Sequence, residues 1–198
     1  MVNKRVKNCR QAIIVLHEIY GMNQFIEEQL QKYRSLGFDV FCPNLIDKPP
    51  FPYEESENAY NFFIKNIGFE AYKHINAFIH KLKATYDHVL LLGFSVGATI
   101  AWRCCENSLC SGVIACYGSR IRNYTDLEPA CPTLLLFARE GSFNAHALVC
   151  KLQDKKQVSI IEFDAEHGFL DSFSTHFDPC QAQCAEESIA GFINECTR

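Results

Sequence analysis

No stretch of this 198-residue chain approaches the ~18 consecutive apolar positions that a membrane-spanning helix needs. Association with a membrane is therefore not expected. Positive charge is scarce as well: 19 lysines and arginines face 23 aspartates and glutamates, a net charge of -4, which argues against nucleic acid as a partner. The opening Met1-Val2-Asn3-Lys4-Arg5 leads towards a strand and lacks the apolar run of a signal peptide, so a cytoplasmic location is expected. Internal repeats are absent, and the length suits one domain over 1–198 with a substantial core. Eleven cysteines are present, yet no Cys-x-x-Cys pair or matching histidine pair completes a zinc set, and the odd number does not suggest a disulfide framework. They are expected to be reduced, mostly small core residues. The turn-spaced Cys180 and Cys184 and the adjoining Cys104 and Cys105 leave a metal or redox reading open.

The informative stretch is Val89-Leu90-Leu91-Leu92-Gly93-Phe94-Ser95-Val96-Gly97-Ala98. Four apolar residues make a buried strand, small residues open a helix, and glycines flank a serine at G-x-S-x-G spacing. This is the pattern of a nucleophile elbow, a tight turn from strand to helix that strains the backbone at Ser95 and leaves no room for side chains at Gly93 and Gly97. The helix directs its free N–H groups and positive dipole end towards Ser95, and the N–H of Val96 can help to hold an oxyanion. One hydroxyl is thus offered at an electropositive spot.

Strand and helix signals alternate along the rest of the chain. Residues 12–16 read as a strand followed by the loop His17-Glu18-Ile19-Tyr20-Gly21-Met22-Asn23, with Asn23 as N-cap of a helix that stops at Gly37 before a strand over 38–41. From Cys42 to Tyr60 the chain is rich in proline, aromatic and acidic residues, a surface excursion that serves as a linker, a pocket wall or, through Phe51 and Tyr53, a dimer contact. Helix is expected near 56–84 with a break at Gly68, and strands over 112–116, 133–137 and 158–163. A loop at 138–142 leads into a helix reaching about 155, and a terminal helix over about 179–196 turns Ile189 and Phe192 inward. The expected fold class is α/β: a doubly wound, mostly parallel sheet with helices on both faces and no large cap. Reactive loops belong at the strands' carboxyl ends.

Three such loops carry serine at 95, an acid near 140 and histidine at 167. Ser, then Asp or Glu, then His is the order of α/β-hydrolase triads, in which a neutral imidazole takes the serine proton and a carboxylate orients it. His167 follows a buried strand and adjoins a glycine; His176 is its competitor, His17 reads as structural, His74, His80 and His88 as solvated, and His146 as a helix opener. The sequence resembles the dienelactone hydrolase family of α/β-hydrolases over nearly its whole length. The likeness rests on His17-Glu18-Ile19-Tyr20-Gly21-Met22-Asn23, on Gly93-Phe94-Ser95-Val96-Gly97-Ala98 and on His167-Gly168-Phe169. It implies Ser95 as nucleophile, His167 as base, Glu18 as the glutamate that contacts the resting nucleophile, and the N–H groups of Ile19 and Val96 as the oxyanion hole. Tyr20, Phe94 and Phe169 are expected at the substrate.

The chain departs from that family in three places. Serine replaces the elbow cysteine, which favours a general esterase. The family's triad aspartate would fall at Gly141, so Glu140, one residue earlier and one methylene longer, is the expected acid if the loop is shifted, with Asp164 and Asp171 as substitutes. The family's carboxylate-binding arginines are missing: no arginine occurs between Arg34 and Arg103, and Asp171 stands four residues after His167, where one would be expected. The expected activity is cleavage of a small uncharged ester, lactone or thioester by a monomer or homodimer that uses no metal or organic cofactor. The alternative is a hydrolase fold that has lost catalysis and serves as a ligand-binding or interaction module. The orientation of Glu140 separates the two.

Overall fold

In the computed structural model, residues 9–141 and 144–198 are described; residues 1–5 and Ser142, read above from the sequence, lie outside them. Six strands, β1 (Gln11–Leu16), β2 (Asp39–Phe41), β3 (His88–Phe94), β4 (Gly112–Cys116), β5 (Thr133–Arg139) and β6 (Val158–Glu166), pair in the order β2-β1-β3-β4-β5-β6. Every pairing is parallel. The central strands are apolar along their length because both faces of the sheet are covered. Ala12, Ile14, Leu16, Leu91, Val113 and Leu135 face α2 (Ser56–Asn66), α3 (Tyr72–Lys83), α4 (Val96–Arg103) and α5 (Ala145–Leu152), whereas Ile13, Val15, Leu90, Leu92, Ile114 and Leu136 face α1 (Gln24–Ser35) and α6 (Pro179–Cys196). The expected doubly wound α/β sheet is present. No described helix is long and apolar enough to cross a membrane.

Local chemistry places the helix ends. The Asn23 side chain accepts from the Ile26 N–H and caps α1, Asp178 caps α6 in the same way ahead of Pro179, and Gly68 at φ 62° breaks the segment between α2 and α3. Five cysteines (Cys104, Cys105, Cys110, Cys116 and Cys131) are buried, as expected for small core residues, but Cys9, Cys150, Cys180 and Cys184 are exposed. On α6, Ile189 and Ile193 point inward, while Phe192 is only partly buried.

The direction in which successive strands are added across the sheet reverses between β1, which neighbours β2, and β3, the start of the run to β6. The carboxyl ends of β1 and β3 therefore border the crevice where doubly wound sheets bind ligands. Residues 42–55 form a wall over that crevice: His17 Nε2 accepts from the Leu45 N–H at 2.9 Å, the Phe51 N–H donates to the Tyr20 carbonyl at 2.9 Å, and Phe51 stacks on Phe62 with ring centroids 5.6 Å apart. Phe51 and Tyr53 are half-buried.

Candidate active site

Ser95 occupies the turn between β3 and α4 with φ 53° and ψ -112°, a conformation that costs a side chain-bearing residue energy and that the flanking packing enforces. A Cβ at Gly93 would lie 2.3 Å from the Gly97 carbonyl oxygen, and one at Gly97 would lie 2.4 Å from the Leu16 oxygen and 2.6 Å from that of His17. Those neighbours are backbone atoms of α4, of β1 and of the residue that follows β1, and cannot swing aside. Gly97→Ala is accordingly expected to destabilise the fold by at least about 3 kcal/mol, lowering the melting temperature in a thermal scan by roughly 6 °C or more.

Both nitrogens of His167 are engaged. Nδ1–H donates to Glu140 Oε1 at 2.6 Å, and Nε2 lies 2.8 Å from Ser95 Oγ. Because a carboxylate can only accept, the proton sits on Nδ1 and Nε2 is left to accept the serine O–H. Tyr117, itself at φ 45° and fully buried, packs its ring 5.0 Å from that of His167.

The acid reaches the histidine through an irregularity in the sheet. Phe137 pairs with Glu162, but two residues later Arg139 pairs with Glu166, so β6 carries two extra residues in that interval. The next positions along the two strands are Glu140 and His167. In the earlier register Glu140 would stand opposite Ala165, one reason that counting along β5 alone could not place it. The other candidates are occupied: Asp164 pairs with Arg139 at 3.2 Å, and Asp171 accepts from the Tyr53 hydroxyl at 2.5 Å and the Phe173 N–H at 2.9 Å. His176 bonds to the His167 carbonyl at 2.9 Å, a supporting position. His17 is buried and held in a structural role between the Glu18 carbonyl and the Leu45 N–H, with burial lowering its pKa; His74 and His80 are exposed.

Glu18 is buried, 5% exposed, and its Oε1 has no hydrogen-bond partner. Burial pushes its carboxyl up to about 7, against the pull of the His167 charge; Asp171 raises it further, and the nearby Tyr117 hydroxyl favours the ionised form. For His167, burial disfavours the charged ring, but the hydrogen bond and charge of Glu140 and the charge of Glu18 outweigh it, so the ring's pKa lies above its ordinary 6.5.

A cavity of about 440 Å³ opens at Ser95, lined among others by Glu18, Ile19, Tyr20, Tyr53, His167 and Asp171. A second, of about 280 Å³, shares Ser95, Ile19 and His167 and adds Val96, Thr99 and Arg120. Ser95, His167, Glu140, Glu18, Ile19, Val96 and Tyr20 thus gather at one crevice. Phe94 and Phe169 do not line either cavity. Strand alternation turns Phe94 under the elbow against Phe25, at 4.9 Å between ring centroids, and Phe169 packs on Phe163 at 5.1 Å; proximity in sequence to Ser95 and His167 did not make either a wall residue. Tyr117 and the Asn23–Tyr53–Asp171 chain were not foreseen. In that chain the Asn23 amide donates to the Tyr53 hydroxyl, which donates to Asp171. The available signals were a tyrosine at the carboxyl end of β4 and aromatic crowding at 51–53.

The dienelactone hydrolase family model matches residues 2–195. A Bacillus subtilis relative, the uncharacterized protein YczH, is 37% identical over 170 residues, 84% of each chain. Carboxymethylenebutenolidase 1 of Cupriavidus pinatubonensis is 21% identical over 193 residues, covering 89% of this chain and 82% of its own. Among solved structures, a Klebsiella pneumoniae protein assigned as a dienelactone hydrolase superposes with a TM-score of 0.80 at 15% identity over 96% of this chain and 88% of that one, a likeness of fold.

Proposed function

The chain belongs to the dienelactone hydrolase family and is a hydrolase acting on ester bonds, and we propose that Ser95, His167 and Glu140 form its catalytic triad for a small carboxylic ester, lactone or thioester. The observation that carries this reading is the unbroken relay from Ser95 Oγ through both nitrogens of His167 to Glu140. The same relay favours an enzyme over a non-catalytic binding module. Ser95 Oγ attacks the carbonyl carbon while His167 Nε2 takes its proton, and the N–H groups of Ile19 and Val96 receive the developing oxyanion. Collapse of the tetrahedral intermediate breaks the bond to the leaving group, which departs with the proton from Nε2. Water, deprotonated by the same nitrogen, then releases the acid and restores Ser95. Glu18, close to this centre and poorly solvated, assists by stabilising the imidazolium. One domain over 1–198 suffices for these steps, and no metal or organic cofactor takes part in them.

Steady-state hydrolysis of short p-nitrophenyl esters across pH tests the assignment. His167 works as a base only when neutral, and its pKa is raised, so kcat/KM is expected to climb with pH through an ionisation above 6.5. Glu18→Gln removes a charge that stabilises the imidazolium, so this inflection should move to lower pH. A flat profile, or an inflection that Glu18→Gln leaves in place, would contradict the roles given to these two residues.

A further inference from the structure

The two cavities that share Ser95 differ in charge. The larger is lined by three carboxylates, Glu18, Glu54 and Asp171, with His167 and His176, and among the described residues no lysine or arginine lines it; the smaller is lined by Arg120, Glu140 and His167. Asp171 takes its hydrogen bonds from Tyr53 and a backbone N–H, neither of which cancels its charge. Glu18 is more than nine-tenths buried with Oε1 unpartnered, so its carboxylate charge is poorly compensated on this wall of the cavity. Beside these acids the rings of Tyr20 and Tyr53 meet at 4.7 Å between centroids and 58° between planes, offering two aromatic surfaces to the same space.

From this arrangement we infer that the larger cavity is a subsite for a substituted ammonium group, and that the substrate is an ester carrying that positive charge near the scissile carbonyl. Carboxylates with aromatic faces suit a weakly hydrated ammonium ion, which gains from ring quadrupoles as well as from charge. A cation there also favours the ionised form of Glu18, which burial otherwise opposes. The like-charge repulsion that excludes a dianionic lactone beside Glu18 and Asp171 becomes attraction for a cation. The other cavity pairs one carboxylate, Glu140, with one guanidinium, Arg120, and so attracts the same group less than the three acids of the larger one do. This inference rests on the triad reading above and assigns the substrate class for that site.

Acetylcholine and 3,3-dimethylbutyl acetate form a pair of nearly equal shape in which only the charge differs. The wild-type protein is expected to cleave the charged ester with a kcat/KM at least about tenfold higher, mainly through KM, and added salt should shrink that ratio. Asp171→Asn and, separately, Glu54→Gln on the exposed wall should each move the ratio towards one, whatever they do to either rate alone. Equal or reversed preference in wild type, or a ratio that neither variant moves, would overturn the ammonium subsite while leaving the triad in place. If neither ester is cleaved and a fluorophosphonate forms no adduct at Ser95, the triad reading fails and the subsite assignment falls with it.

Discussion

Ser95→Ala is expected to lower kcat for any ester that the protein cleaves by at least about 10⁴-fold, leaving a folded protein with a thermal transition close to that of wild type. The loss is large because the hydroxyl is the group that His167 Nε2 contacts at 2.8 Å, and because binding and oxyanion stabilisation without a nucleophile give only the residual rate of attack by water. Stability should be little affected, or slightly improved, since Ser95 is held at φ 53° by the glycines around it and its side chain caps nothing. The comparison is made by single-turnover hydrolysis and a thermal scan on the same preparations. A variant that retains more than a hundredth of the wild-type rate would place the nucleophile elsewhere.

Glu140→Gln carries the second large effect, about 10³ to 10⁴ in kcat. The carboxylate accepts the Nδ1 proton at 2.6 Å and so leaves Nε2 free to accept from serine. An amide in its place can present an N–H to Nδ1, which moves the ring proton to Nε2 and points it at Ser95 Oγ, where a base is required. Loss of the Glu140 charge also withdraws the chief support of the imidazolium, so the pH inflection should fall below its wild-type position. Kinetics over pH 5 to about 9 separate this from simple misfolding, because a misplaced loop would lower the rate without moving the ionisation.

What could be read from the residues follows from how locally each feature is encoded. Residues 12–16 and 89–92 are apolar on both faces because helices cover both sides of a parallel sheet, and that burial is written directly into sequence. The elbow was legible for a similar reason: with a Cβ at Gly93 only 2.3 Å from a backbone oxygen, the spacing of its glycines is a steric requirement of the turn. The identity of the acid was not so encoded. Residues 158–163 announce a strand, but the two added residues of β6 before Glu166 obey no hydrophobic period, and they decide whether Glu140 meets His167. The 42–55 wall posed the same difficulty, since its contacts run from Leu45 to His17 and from Tyr53 to Asp171 across the crevice. Phe94 illustrates the converse: alternation along β3 sends it into the core although it adjoins the nucleophile.

The most direct measurement is the site of covalent capture by a fluorophosphonate. Intact mass and peptide mapping should find one adduct per chain, on Ser95, formed faster as pH rises through the His167 ionisation and absent from Ser95→Ala. Folded wild-type protein that takes up no adduct, or takes it up at another residue, would contradict an activated Ser95 and with it the triad.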